Sequence, residues 1–174
     1  MSSTRRRFLG AVCSGVVGAL AGCAGSSRDL VVDGRVATRN APVDGATVTA
    51  ESGSDSTYAR LLTSDDDASA AHWETVAELD SELASACTDV DYDTHFIALA
   101  GIALSPDLAL ERVETKFGQQ GLYERFVIER LDEPTDQPRV FNYLGKWSLG
   151  SESPPEGIEL NWNFNRETSG DRLD

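Results

Sequence analysis

His95 to Leu104 reads HFIALAGIAL, ten residues without a formal charge in a chain where 25% of residues are charged. A strand with one wet face alternates apolar and polar residues. This run is apolar at both parities, the pattern of a central strand or one covered on both faces. The segments around it read as further strands. LVVDGRVATR and ATVTAES flank NAPVDG, a cluster of turn residues, and STYARLLTS follows SGSD. ERVETKF and LYERFVIERL flank Gly118-Gln119-Gln120-Gly121, which suits a hairpin loop. PRVFNYLGKWSL and GIELNWNF complete the set, separated from their neighbours by DEPTDQP and GSESPPEG, where proline fixes the strand ends.

One segment has a helical period. In ASAAHWETVAELDSELASAC, Trp73, Val76, Ala77, Leu83, Ala84 and Cys87 fall on one stripe, while Glu74, Glu78, Asp80, Ser81 and Glu82 fall opposite. Asp65, Asp66 and Asp67 precede it, where carboxylates suit the positive end of a helix. Cys87 lies on the apolar stripe and is expected to be a small buried hydrophobe. Alternating βα units are absent, which argues against a doubly wound fold. The expected fold is mainly β: an antiparallel sandwich or open barrel of about eight strands, with one amphipathic α-helix covering an end or face. The alternative is α+β. Residues 30–174 are expected to form this single β-rich domain, and the 40% hydrophobic content can supply its core.

The first 22 residues have a different character. STRRRFLG is basic, AVCSGVVGAL is apolar, and LAGC closes the stretch. The apolar part spans about a dozen residues, short of the about 20 a membrane-spanning helix needs, so it reads as the apolar region of a signal peptide. Thr4-Arg5-Arg6-Arg7-Phe8-Leu9 resembles the twin-arginine export motif, with Arg5 and Arg6 as the pair and Phe8 and Leu9 following. Leu20-Ala21-Gly22-Cys23 resembles a lipobox, which implies cleavage before Cys23 and a lipid on its sulfur. Ordinary cleavage at an Ala-x-Ala-like site, leaving Cys23 a plain thiol, is the alternative. The implied organisation is a twin-arginine signal peptide over residues 1–22, then a lipidated cysteine and short tether over 23–29. AGSSRD would reach roughly 20 Å at about 3.5 Å per residue.

Charge bears on both partners and habitat. The chain carries 15 basic and 29 acidic residues, net −14, and no acid precedes Asp29. Loss of the leader removes Arg5, Arg6 and Arg7 and leaves 12 basic residues against 29 acidic, net −17. So negative a field repels phosphate backbones, so nucleic acid is not an expected partner. Only Lys116 and Lys146 are lysines. Many acids, few lysines, a twin-arginine leader and a lipobox together resemble the surface lipoproteins of halophilic archaea. The resemblance implies a chain held at the extracytoplasmic face of the cell membrane by the lipid on Cys23, after passage through the twin-arginine translocase. No basic patch remains in the mature chain to assist, so the lipid must supply nearly all the membrane affinity.

Chemistry is harder to find. Asp89, Asp91 and Asp93 alternate in DVDYD, and oxygen donors suit calcium, but Thr94 and Ala100 stand where an EF-hand loop has glycine and glutamate. His72 and His95 are too few for the usual zinc ligand set. Ser148 in KWSLG lacks the first glycine of a nucleophile elbow. Phe141, Tyr143, Trp147, Trp162 and Phe164 could stack a ligand if they faced outward, although the alternation of their strands turns them inward. No catalytic residue, metal site or cofactor is therefore assigned. The expected function is a lipid-anchored extracytoplasmic binding or structural module for an unknown protein or solute. The alternatives are a carboxylate-based envelope hydrolase and a regulator of an envelope protease, the latter because the helix, VDYDTHFIAL and the following hairpins are similar in pattern to small exported protease-regulator domains.

Overall fold

The computed structural model describes residues 28–53, 56–117, 121–150 and 152–164. Among them are seven strands and three short helices: β1 (Leu30–Thr38), β2 (Thr57–Leu62), α1 (Asp65–Ser69), α2 (Trp73–Leu79), α3 (Ser81–Thr88), β3 (His95–Leu104), β4 (Leu108–Phe117), β5 (Leu122–Arg130), β6 (Arg139–Ser148) and β7 (Ile158–Phe164). They form two sheets, one ordered β1-β6-β3-β2 and one ordered β4-β5-β7. The protein is mainly β and a sandwich, as its alternation patterns predict.

HFIALAGIAL becomes β3, and both its faces are buried. Ile97, Leu99 and Ala103 point toward the helices and pack with Val76, Leu83, Ala84 and Cys87. Ala100, Ile102 and Leu104 point toward the second sheet and meet Leu108, Leu110, Phe126 and Ile128. Phe96 and Ala98 extend that inner layer with Leu122 and Trp147. Three layers therefore share one central strand. Each of its large side chains contributes about 1.5–3 kcal/mol by leaving water.

Three expectations need correction. The single helix is three short ones, and the break falls at Asp80, whose backbone is extended (φ −148°, ψ 94°). Its N–H bonds Val76 O to end α2, and its Oδ1 accepts from Leu83 N–H at 2.9 Å to begin α3. An aspartate that can cap the following turn wins over continuing the helix. Ala77 consequently turns outward, off the buried stripe. ATVTAES is not a strand. It folds back on the preceding turn through an Asn40–Thr49 bridge and lends Val48 to the core beneath the helices. Finally, β7 runs parallel to β5. After β5 the chain crosses to the other sheet, where β6 inserts between β1 and β3, and it returns beside the start of β5: Leu122 N–H bonds Gly157 O at 2.9 Å.

The hairpin of β4 and β5 is as expected and antiparallel, with a bulge between Leu110 and Arg112. Arg35 of β1 reaches across the seam between the sheets and donates to the carbonyls of Leu110 and Glu111 at that bulge.

Candidate functional site

The two ends of β1 define two poles. At the first, Arg28 is drawn into the fold. Its guanidinium donates to Ser153 O at 2.7 Å, pairs with Glu152 at 3.1 Å and lies over the Phe117 ring at 5.1 Å. Asp29 is clasped to Ser148 by three bonds, one of them a longer donation from Ser148 Oγ to Asp29 O at 3.4 Å. Asp29 N–H donates to Ser148 Oγ at 3.0 Å, and Ser148 N–H donates to Asp29 O at 2.9 Å. Ser148 thus fastens the N-terminal end of the domain and is not poised as a nucleophile. The export-signal residues Arg5, Arg6, Phe8 and Leu9, the lipobox residues Leu20, Ala21 and Gly22, and Cys23 itself lie outside the described residues.

At the opposite pole the last β1–β6 register pair is Thr38 with Val140, and just beyond it Arg39 and Arg139 both border one concavity. Arg39 donates to the neutral carboxamide oxygen of Gln137, and Arg139 is joined to no side chain among the described residues. Both arginines line a surface concavity of about 300 Å³ with Ala37, Thr38, Asp136, Gln137 and Pro138. Carboxylates are the commonest charged partner this chain could offer, yet among the described residues neither arginine has taken one.

A third feature lies inside the sandwich. Glu124 follows the inward alternation Leu122, Glu124, Phe126, Ile128 on β5 and is 0% exposed. Neither carboxylate oxygen has a hydrogen-bond partner among the described residues. Burial alone pushes the acid up to about 8 from an ordinary 4.5, so it is largely protonated at neutral pH. Thr115 stands opposite it across the β4–β5 pair and also lies beside the Tyr143 hydroxyl. Tyr143 and Trp147 bend over Gly145, where a Cβ would come within 2.8 Å of both the Tyr143 oxygen and Trp147 Nε1. Trp147 Nε1 is a second buried group without a partner. The neutral acid, the phenol and the indole N–H make a small polar patch in an apolar layer. Alternation could have revealed Glu124, because it is the charged residue at an inward position of its strand.

The other candidates resolve into structural roles. Asp91 closes its own turn, accepting from Asp93 N–H at 3.1 Å and Thr94 Oγ1 at 3.0 Å, while Val90 and Tyr92 pack on the core. Asp67 accepts from Thr63 N–H at 3.1 Å, and that bond above all holds its carboxyl below the usual range. Ser64 in turn accepts from Asp67 N–H, so the acidic run begins α1 as expected. His72 pairs with Asp44 at 2.9 Å, whereas His95 contacts Thr94 Oγ1 at 2.8 Å. Among the described residues no three metal-binding side chains come together. Cys87 is fully buried and its thiol is pushed up to about 11, chiefly by that burial. Tyr143 and Trp147 are core residues, Phe141 and Trp162 are partly buried, and Phe164 is exposed, edge-on to Trp162 at 5.6 Å.

No protein-family model, no curated protein and no solved structure matches this chain.

Proposed function

We propose that the protein is a lipid-anchored extracytoplasmic binding module that presents the Arg39–Arg139 pole away from the membrane. The observation that carries this reading is the placement of the two poles at opposite ends of β1. Arg28 and Asp29 are fastened to the domain at one end, and Arg39 and Arg139 border a concavity at the other. With Cys23 as the anchor, only residues 24–27 remain as a leash, at most about 14 Å long at about 3.5 Å per residue. The nine residues of β1 separate the poles by about 30 Å at roughly 3.3 Å per residue. A leash this short keeps the Arg28 pole near the bilayer and the concavity in open solvent.

A hydrolase built on two carboxylates has less support. Glu124 is displaced by burial, not by a neighbouring carboxylate, and among the described residues no second acid shares its site in the manner a paired mechanism needs.

The test uses a bulky membrane-impermeant maleimide on intact cells, since buried Cys87 is silent. Gln137→Cys should react readily and Ser153→Cys slowly until detergent is added. Faster labelling at position 153, or labelling at neither position, overturns the reading. Independently, Cys23→Ser should move folded protein from the membrane to the medium.

A further inference from the structure

We infer that the concavity between Arg39 and Arg139 is a binding site for a small zwitterion, one carrying a carboxylate and an ammonium group. The inference rests on the proposed binding role and names the ligand class for that pole.

Three observations lead to it. First, two arginines border one concavity, and among the described residues neither has a carboxylate partner, in a chain of 29 acidic residues. Arginine forks match the two oxygens of a carboxylate. Second, Asp136 lines the same concavity and makes no ion pair with either arginine. The site therefore offers two positive groups and one negative group to the same guest. A simple anion would meet repulsion from Asp136, whereas a ligand with an ammonium group beside its carboxylate would use it. Third, the body as a whole is strongly negative. Its field lowers the local concentration of any net anion, while a molecule of zero net charge approaches without that penalty. The concavity, about 300 Å³, suits a guest of amino-acid size.

Glycine, acetate and methylammonium are the probes: the whole zwitterion and its two halves. Each would be titrated at fixed salt into the whole protein in detergent, with arginine side-chain nitrogen resonances as the readout. Glycine should shift Arg39 and Arg139 saturably, with each half at least tenfold weaker. Arg39→Gln and Arg139→Gln should each weaken glycine binding at least tenfold. Asp136 lies on an exposed loop, so Asp136→Asn tests the idea without burdening the fold. It should weaken glycine several-fold and strengthen acetate, a reversal that a purely structural aspartate would not produce. Acetate binding as tightly as glycine, or the same affinities in Asp136→Asn as in the parent, overturns the zwitterion. Absence of any saturable shift overturns the site. Because binding is read in detergent, neither outcome depends on whether Cys23 is the anchor.

Discussion

Replacing Glu124 by Gln should stabilise this protein, and by an amount that depends on pH. The side chain is wholly buried, both carboxyl oxygens lack partners, and its acid is pushed up to about 8. In the unfolded chain it titrates near 4.5. Between those two values the native state holds a proton that the unfolded state has lost, so stability falls as pH rises through that window. Below 4.5 both states are protonated and the penalty is absent. Above about 8 it is complete and no longer changes. At about 1.4 kcal/mol per pH unit, the whole window is worth roughly 5 kcal/mol, and the part passed by pH 7 roughly 3 kcal/mol. Glutamine has nearly the shape of the neutral acid and cannot ionise. The assay is denaturant unfolding of parent and Glu124→Gln at pH 4, 5, 6, 7 and 8, at one high salt concentration so that surface repulsion cancels in the difference. The two proteins should agree within about 1 kcal/mol at pH 4 and diverge progressively above it, with the variant the more stable. A difference that stays flat across the series, or widens toward acid, refutes the reasoning.

Other outcomes follow from single contacts. Asp80→Ala removes the cap of α3 and should lower stability by about 1 kcal/mol in denaturant unfolding. Asn142 is fully buried and accepts from Tyr58 at 2.6 Å, while its amide donates to Val36 O, Thr38 Oγ1 and Val140 O. Tyr58→Phe leaves that Asn142 oxygen without its donor and should lose about 1–3 kcal/mol in the same assay. Lowering salt should lower the melting temperature, because 29 acidic residues repel one another with less screening; a melting temperature that rises on dilution contradicts the halophilic reading.

What could be read from the residues was local. β3 is visible because two-faced burial leaves a run with no polar parity, and the β4–β5 hairpin because its loop and alternation agree. The acids in the first turn of α1 and the burial of Cys87 follow from helix polarity and stripe position. What escaped depends on choices between neighbours. Asp80 satisfies both a helical stripe and a cap, and only the packing of α2 and α3 on the sheet decides between them. β7 looks like any amphipathic strand, and its parallel pairing comes from where β6 inserts. Arg39 and Arg139 are 100 residues apart in sequence and border one concavity only once β1 and β6 have paired. Glu124 was legible in principle, as a carboxylate on an inward parity, but 29 acids hide one that matters.

The account stands most directly on Cys23. Intact mass of the protein extracted from native membranes should give a chain beginning at Cys23 and heavier than its sequence by the mass of a lipid. A chain of unmodified sequence mass, or one that still carries residues 1–22, would contradict it.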